Sequence, residues 1–463
     1  MIVGVDIGTT SAKAAAFDRD GEMHGRVEAG YALSEPQPGW AEQDPEVVVA
    51  ATLDVLRRAP EVAGTAFSGA MHSLVGLDAR DRPATPLITW GDTRATEQAE
   101  RLKAEHPQLH ARTGTPLHPM SPLAKLCWLR EQGVEAHRWA GVKELVLHRL
   151  TGEWVMDHST ASGTGLMDLR TTEWDAEALE LAGVEPAQLP RLVPATQRLG
   201  GDLVVGAGDG PLANLGLGAV RPGVAACSIG TSGALRLIVE YPAVDERGRV
   251  FCYALTPGRW AVGGAINNGG VVLEWLHATL GGDVETLLEE AAAVPTGSDG
   301  LMMLPYLLSE RAPHWSALPR GAYVGLSRAH GRGHLVRAAL EGVCQQLALV
   351  LASLHDAGYA VREVRATGGF ARSSLWKQVL ADALGLPVGF TAGREGSAFG
   401  AALLGMEALG IVDSIDRAAA LVEVTETVEP DPGAAALHTQ RRPTFEGLSE
   451  ALAPALRALQ PSG

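Results

Sequence analysis

Short apolar runs alternate with longer amphipathic segments along the whole chain. Ile2–Val5, Lys13–Phe17, Val62–Phe67 and Val361–Thr367 are rich in small and β-branched residues and predict strands. Leu335–His355 repeats its apolar positions at helical spacing and predicts a long helix with one buried face. The alternation of the two patterns predicts a layered α/β protein.

Capping residues indicate where several helices begin. Asp44 and Ser121 each stand directly before a proline, which suits the N-cap and the first helical position. Ser373 has the same role before a helix predicted over residues 375–384, and Gly133 ends the helix that follows Ser121. The run Leu145–Gly152 fits either a strand or the end of a helix.

An internal repeat divides the chain. Val3–Phe17 (VGVDIGTTSAKAAAF) and Val224–Ile238 (VAACSIGTSGALRLI) both read as a strand, an Ile-Gly-Thr turn with further hydroxyl residues, and a second strand. The segment Gly216–Gly223 lies between the two copies and suits a domain boundary. We therefore expect an N-terminal domain over residues 1–218 and a C-terminal domain over 219–463.

Composition narrows the function classes. The chain has 463 residues, with 38 Lys and Arg against 54 Asp and Glu, a net charge of −16. Its 46 % hydrophobic and 20 % charged residues exclude a disordered chain. Nucleic-acid binding is not expected, because it needs net or clustered positive charge, and no dense Lys/Arg run is present.

Cysteine usage and the N-terminus favour a cytoplasmic protein. The four cysteines are scattered without a C-x-x-C pair, so they predict reduced thiols rather than a disulfide frame or a zinc site. The chain opens directly on a strand-like run and lacks the basic and apolar regions of a signal peptide. No apolar run approaches the ~20 residues of a membrane span.

The two Ile-Gly-Thr turns are candidate phosphate-binding hairpins. Phosphate oxygens need converging N–H groups, hydroxyl donors and no Cβ in the way. A single turn of this kind is more often an ordinary β-turn, whereas two copies in register favour phosphate binding. Lys13 is placed to neutralise a phosphate and Asp6 to hold Mg²⁺ through water. The remaining candidates are Gly8, Thr9, Thr10, Ser11, Gly230, Thr231 and Ser232.

Two further glycine-rich loops complete the candidate site. The loop Thr367–Ser373 carries Gly368 and Gly369 between a strand and a helix, which suits the nucleoside side of a nucleotide. Asp209 lies in Gly206–Gly210 at the end of an apolar run and is placed to accept a proton from a substrate hydroxyl. Each loop could equally be a plain turn. The chain has neither a P-loop nor a G-x-G-x-x-G after its first strand, so other nucleotide folds are disfavoured.

Polar and aromatic side chains cluster in three short runs of the first half. They offer donors, acceptors and an apolar wall for a polyhydroxylated ligand, although each could be structural. The candidates are Met71, His72, Trp90, Asp92, Arg94 and His118.

Two long runs carry a resemblance to a known family. Met120–Gln132 (MSPLAKLCWLREQ) and the residues from Gly321 to Glu341 resemble the two patterns typical of the FGGY carbohydrate kinases. With the loops above, the resemblance covers roughly residues 1–412. It implies the two-domain actin, Hsp70 and hexokinase-like fold, which is ribonuclease H-like and has a central cleft. Within the family, residues 70–74, 88–94 and 112–120 are most similar to the gluconate kinases.

The resemblance also implies roles for individual residues. Asp209 would be the catalytic base and would share Mg²⁺ with Asp6, while Met71 and His72 would contact the sugar. Two positions depart from glycines common in the family: Phe370 in the third loop, and Ser309 directly before Glu310 and Arg311. ATP phosphates would meet Thr9, Thr10, Ser11 and Thr231, and the nucleotide would be lined by Gly270, Glu274, Gly369 and Ser373.

The implied reaction is phosphoryl transfer from ATP, with Mg²⁺, to O6 of D-gluconate. Arg94, His72 and His118 are the candidates for binding the sugar-acid carboxylate. A pentulose kinase such as a xylulose kinase is the alternative, and an actin-like ATPase or binding module is a remote one. Partners beyond a small sugar acid and ATP are not expected, except a second copy in a homodimer.

Overall fold

The computed structural model describes residues 1–316, 319–391 and 396–459. Two large sheets carry the fold, and one comes from each half of the chain. Strands of the first half are β1 Ile2–Ile7, β2 Ser11–Phe17, β3 Met23–Gly30, β4 Glu42–Gln43, β5 Thr65–Gly69, β6 Val75–Leu77, β7 Leu87–Ile88, β8 Arg138–Ala140, β9 Val155–Asp157, β10 Arg191–Val193, β11 Arg198–Leu199 and β12 Leu203–Gly208. Its helices are α1 Pro45–Arg58, α2 Thr96–Glu105, α3 Gln108–Thr113, α4 Pro122–Glu131, α5 Val142–Thr151, α6 His158–Ser162, α7 Ala176–Ala182 and α8 Asp209–Gly216.

The second half begins immediately after the predicted boundary. Its strands are β13 Val224–Ile229, β14 Gly233–Val239, β15 Phe251–Thr256, β16 Arg259–Ile266, β17 Met302–Leu304, β18 Ala322–Val324, β19 Glu363–Thr367, β20 Val388–Thr391 and β21 Val424–Val428. Its helices are α9 Val271–Leu280, α10 Val284–Ala292, α11 Arg332–Asp356, α12 Ser374–Leu384, α13 Gly396–Ala408, α14 Ala418–Leu421 and α15 Pro432–Ala458.

The two sheets share one topology. The first has the order β3-β2-β1-β5-β12-β11, and the second has the order β15-β16-β14-β13-β19-β20-β21. In each, an antiparallel hairpin (β1–β2 or β13–β14) is followed by two parallel strands and then by an antiparallel edge strand. The predicted α/β fold and the duplication of the hairpin are thus confirmed.

Local signals placed the starts of three predicted helices correctly. The Asp44 carboxylate accepts from the Glu46 N–H, Ser121 Oγ from the Ala124 N–H, and Ser373 Oγ from the Trp376 N–H. Residues 145–151, where a strand or a helix end was predicted, lie inside helix α5.

The helical layer does not respect the predicted domain boundary. Helix α13 comes from beyond residue 219, yet it packs on strands β1, β2 and β5 of the first sheet. Helix α8 follows the first sheet and packs both on α13 and on strand β14 of the second. The crossing is close: a Cβ on Gly4 would lie 1.8 Å from the Ala398 carbonyl oxygen, and one on Gly400 would lie 2.2 Å from that of Leu212. All strands of the first sheet precede residue 218 and all strands of the second follow it, whereas helices α8 and α13 pack across the two halves.

Helix α11 is the core helix of the second half. Among the described residues it is the one helix long and apolar enough to cross a membrane, but 89 % of its apolar window is buried inside the fold. Its length therefore reflects packing against the second sheet.

Candidate active site

One cavity of about 310 Å³ lies between the two halves. We call it the central cavity. It brings together Asp209, Thr9 of the first hairpin and Ser232 of the second. The predicted acid and turns from both hairpins therefore face a common space. The central cavity is lined by Thr9, Met71, His72, Trp90, Met120, Asp209, Gly210, Ser228, Ser232, Gly233, Ala234, Arg236, Phe251, Tyr253, Ala265, Arg311 and Trp315.

Asp209 is the first residue of helix α8, directly after strand β12. Its Oδ1 accepts from the Gly210 N–H at 2.9 Å and from the Met71 N–H at 3.2 Å. Burial raises the pKa of this carboxyl, while the Met71 N–H and the Arg236 guanidinium oppose the rise. The carboxylate is held by N–H donors at a helix N-terminus and faces the cavity, as a proton acceptor must.

The first hairpin fixes its hydroxyl groups through side-chain partners. Thr9 Oγ1 accepts from Trp90 Nε1 at 2.9 Å, and Ser11 Oγ donates to Glu28 Oε1 at 2.7 Å. Thr10 is exposed at the tip, and Lys13 lies half-buried in β2. Of the four predicted hydroxyl and lysine groups, Thr9 lines the central cavity, whereas Thr10, Ser11 and Lys13 do not.

The second hairpin is fixed by backbone instead. The Gly270 N–H donates to the Gly230 carbonyl at 2.6 Å and the Gly269 N–H to the Thr231 carbonyl at 3.1 Å. A Cβ on Gly270 would lie 2.7 Å from the Gly230 carbonyl oxygen, so glycine is needed there. Gly230 and Thr231 are exposed, and Glu274 is exposed on the helix that starts after Gly270.

The third glycine loop lies beside the second hairpin. Strand β19 pairs in parallel with β13, and Gly368 has a φ of 127° with no room for a Cβ against the Ile229 carbonyl. Gly369 is exposed, whereas Ser373 Oγ caps helix α12. Phe370 is buried against Trp376 and Phe390, so this departure from the family pattern serves the core.

Met71 and His72 form one wall of the cavity. His72 Nδ1 donates to the Gly163 carbonyl oxygen at 2.7 Å, and burial lowers the pKa of the ring to about 3. The ring is therefore neutral and its Nε2 is an acceptor. His72 is suited to a substrate hydroxyl and not to a carboxylate, which corrects one sequence-based assignment.

Asp92 and Arg94 do not line the central cavity. The guanidinium of Arg94 donates to Asp92 Oδ2 at 2.7 Å and to Glu42 Oε1 at 2.6 Å, and it stacks on Trp40 at 3.7 Å. Asp92 also accepts from the Ala41 N–H. Carboxylates of the protein accept from Nε and Nη2 of Arg94, so this geometry does not favour the prediction that Arg94 binds the substrate carboxylate. Trp90 of the same run does line the cavity.

His118 is buried next to the cavity wall. Its Nδ1 accepts from the Met120 N–H at 3.2 Å, so in the neutral ring the proton is on Nε2. That atom is buried without a hydrogen-bond partner among the described residues. Burial and the charge of Arg311 hold the pKa of His118 well below its usual range. The ring contacts Trp315 edge-on, with centroids 6.0 Å apart.

Arg236, Tyr253 and Arg311 are among the residues of the central cavity that sequence reasoning missed. Arg236 lies in the apolar strand β14, where a lone buried charge is a detectable signal, and Nε donates to Asn214 Oδ1 at 3.3 Å. Tyr253 gave no local signal. Arg311 belongs to a Glu-Arg pair that was noted only as a resemblance, and burial lowers its pKa to about 10.

A buried lysine supports the cavity wall from behind. Lys125 Nζ donates to the His72 carbonyl at 2.6 Å and to the Thr89 carbonyl at 2.8 Å, and burial lowers its pKa to about 7. It belongs to the first long family-like run. It positions the backbone on both sides of the wall rather than contacting a ligand.

The donor set for a magnesium ion is oxygen-based and sparse. Within the described ranges no group of three or more His, Cys, Asp or Glu residues could hold a metal. The Ser68 Oγ donates to Asp6 of strand β1 at 2.7 Å, and Asp209 directly follows strand β12, so the two carboxylates belong to the two strand ends that flank β5. This pair fits Mg²⁺, which commonly takes one or two carboxylates and otherwise water and substrate phosphates.

Comparison with family profiles gives a match across most of the chain. Residues 1–204 match the N-terminal domain of the FGGY family of carbohydrate kinases, and residues 225–409 match its C-terminal domain.

Individual proteins agree with the family match. The chain is 39 % identical to a gluconokinase of Bacillus subtilis (strain 168), over 97 % of this chain and 96 % of the relative. Crystal structures of a gluconate kinase and of a ligand-bound xylulose kinase, both from Lactobacillus acidophilus, each superpose with a TM-score of 0.94 at 32 % identity, covering 99 % of both chains.

Proposed function

The chain belongs to the FGGY family of carbohydrate kinases, and from this premise we propose that it transfers the γ-phosphoryl group of ATP to O6 of D-gluconate. The gluconokinase of B. subtilis, at 39 % identity, and the gluconate kinase structure support this substrate. The observation that carries the proposal is the central cavity, in which Asp209 and both hairpins meet. The remote alternative of an actin-like ATPase or binding module is set aside, because both kinase domains match.

Asp209 is the proposed general base. It would take the proton of the substrate hydroxyl as that oxygen attacks the phosphoryl group. Burial raises its pKa, but the N–H groups of Met71 and Gly210 and the nearby Arg236 favour the ionised form. Met71 and the acceptor Nε2 of His72 would hold substrate hydroxyls beside it, with Trp90 as an apolar wall.

The exposed turns are the proposed ATP site. N–H and hydroxyl groups that face open space at the tips of both hairpins suit phosphate oxygens, and such transfers depend on positioning and charge neutralisation. Asp6 and Asp209 would hold Mg²⁺, which would neutralise charge on the phosphates. The residues proposed to contact ATP are Thr9, Thr10, Ser11, Lys13, Gly230, Thr231, Gly270, Glu274, Gly369 and Ser373.

A xylulose kinase is the second candidate. The xylulose kinase from L. acidophilus superposes as well as the gluconate kinase, with the same TM-score of 0.94. The base and the hairpins would serve either substrate equally, so the discrimination must come from the walls of the central cavity. We also propose a cytoplasmic location, which is supported by four buried, unpaired cysteines. Assembly as a homodimer stays a prediction.

The test is ADP release coupled to an indicator reaction, measured with D-gluconate, D-xylulose, glycerol and no acceptor. We expect kcat/KM for gluconate to exceed that for xylulose by at least an order of magnitude. Phosphorus NMR of the product should show a phosphomonoester on the primary carbon C6. A preference for xylulose would overturn the gluconate proposal and establish the second candidate, whereas equal ADP release without any acceptor would overturn both.

A further inference from the structure

Three buried polar atoms around the central cavity have no hydrogen-bond partner among the described residues. They are Arg311 Nε, the Tyr253 hydroxyl and His118 Nε2. A buried donor without an acceptor costs on the order of 1–3 kcal/mol, so such atoms are rarely left unpaired in folded proteins. Three in one neighbourhood indicate a ligand that completes them.

All three atoms are donors. Arg311 Nε carries a hydrogen in the guanidinium, and burial raises the pKa of Tyr253, so its hydroxyl keeps its proton. His118 accepts at Nδ1 from the Met120 N–H, which leaves the hydrogen on Nε2. The missing partner is therefore a group that offers several hydrogen-bond acceptors, as a carboxylate does.

Two of the three donors line the central cavity, and the third, on His118, lies behind Trp315 of the same lining. Tyr253 and Arg311 line the central cavity directly, and so does Trp315, whose ring the His118 ring contacts. Arg311 is fixed in place, because Nη2 donates to the Ile266 carbonyl at 3.1 Å and the guanidinium lies 4.8 Å from the centre of the Trp90 ring. The guanidinium of Arg311 is therefore already oriented before a ligand binds.

The positive charge of Arg311 is not paired within the described structure. The neighbouring Glu310 directs its oxygens elsewhere, accepting from the Asn267 N–H, the Asn268 amide and the Arg311 backbone N–H. Burial raises the pKa of Glu310 to about 7, which weakens its charge further. The charge of Asp209 also acts on Arg311, but among the described residues its carboxylate accepts from Met71 and Gly210 and not from the guanidinium, which leaves these donors for a substrate anion.

We propose that Arg311, Tyr253 and His118 form the subsite that binds the carboxylate of the sugar-acid substrate. This rests on the proposed function and replaces the earlier assignment to Arg94 and His72. A carboxylate accepts hydrogen bonds without donating any and carries the charge that Arg311 lacks. Asp209 lines the same cavity and repels a carboxylate, so the acid would bind at the Arg311 donors and a hydroxyl at the base.

The first test removes one oxygen atom. Tyr253→Phe deletes a hydroxyl that has no partner in the protein, so thermal stability should be unchanged. We expect KM for D-gluconate to rise about 10-fold with kcat nearly constant, as a hydrogen bond to a charged group predicts. Tyr359→Phe is the matched control, since the Tyr359 hydroxyl donates to the Tyr241 carbonyl away from the cavity. Its gluconate kinetics should equal those of the wild type.

The second test removes the charge. Arg311→Gln should lower kcat/KM for gluconate about 100-fold or more. D-Glucitol, which carries the same carbon chain with a hydroxymethyl group in place of the acid, should change less than 3-fold, and KM for ATP should not move. Arg311→Lys, which keeps the charge without the fork, should recover part of the gluconate activity.

The outcomes separate this subsite from the proposed function. If the wild type phosphorylates gluconate but Arg311→Gln reduces gluconate and glucitol equally, or Tyr253→Phe leaves KM unchanged, the subsite is wrong and the function stands. If the wild type prefers xylulose, the function is wrong. The subsite then fails as well unless calorimetry still shows gluconate binding to the wild type and loss of that binding in Arg311→Gln.

Discussion

The two halves of the molecule share a strand order and a glycine-hydroxyl hairpin, yet they place opposite charges in the central cavity. The first half contributes the carboxylate of Asp209, and the second contributes the guanidinium groups of Arg236 and Arg311. Duplication supplied two glycine-hydroxyl turns, whereas the proposed proton acceptor and the proposed anion-binding groups lie in different halves. The complete charge pattern of the site exists only where the halves meet.

The hairpins differ in how they are held. Side chains from distant segments fix the first, through Trp90 to Thr9 and Ser11 to Glu28. Glycine backbone fixes the second, through the N–H groups of Gly269 and Gly270. The conformation of the first hairpin therefore depends on hydrogen bonds with side chains from other segments. That of the second depends on glycines, whose lack of a side chain allows close backbone contacts.

The strongest test of the division of charge is Asp209→Asn. Asparagine keeps the shape of the side chain but cannot accept the proton, so kcat should fall about 10³-fold. Calorimetric titration should show sugar-acid binding intact or tighter, because a negative charge has left the cavity. Residual turnover above a tenth of the wild-type rate would show that the first half does not supply the base.

Arg94→Met is expected to act on stability rather than on the substrate. It leaves the carboxylate of Asp92 buried without its partner and should cost about 3 kcal/mol in the free energy of unfolding. The Arg94 side chain is only 4 % exposed. Urea unfolding would measure the loss, and KM for the sugar acid at a permissive temperature should change little. A large rise in KM at unchanged stability would return Arg94 to the substrate site.

Arg236→Gln should move the pH dependence. Arg236 lowers the pKa of Asp209, so its removal raises that pKa further, and the base is protonated at a higher pH. The acidic limb of the kcat/KM profile should shift upward by about one pH unit. Arg236→Lys keeps the charge, and its limb should stay in place. An unchanged acidic limb in Arg236→Gln would show that Arg236 does not affect the pKa of Asp209.

Gly230→Ala and Gly270→Ala probe the backbone-held hairpin with the smallest change. A Cβ on Gly230 meets no atom within 4 Å, so this variant should keep its melting temperature while KM for ATP rises several-fold. The Cβ on Gly270 would lie 2.7 Å from a backbone oxygen, so that variant should also melt lower. Equal melting temperatures for both would contradict the described packing of this loop.

Local chemistry accounts for what the sequence could predict. Caps, turns and short apolar runs act over a few residues, so β1, β2, α4 and α12 were found where expected. Asp209 was found because a strand ends directly before it. These features can be predicted without information on residues distant in the sequence.

The residues that sequence reasoning misplaced in the site are held by contacts with residues distant in the sequence. Arg94 looked available until Glu42, 52 residues away, was seen to accept from it. His72 looked like an anion-binding group until the Gly163 carbonyl, 91 residues away, fixed its tautomer. Tyr253 of strand β15 and Arg311 of a later loop line the same cavity only because the chain folds them together.

The exchange of helices between the halves governs how the chain can be made. Strands β1 and β5 bury Ile2 and Ala66 in one cluster with Phe399 and Leu403 of helix α13. During synthesis at ~5–20 residues per second, the roughly 190 residues between 218 and 408 take about 10–40 s to follow. During that time the apolar face of the first sheet that packs on helix α13 is exposed to solvent. We therefore expect that the first half does not fold independently and that a nascent chain needs shielding until helix α13 has been made.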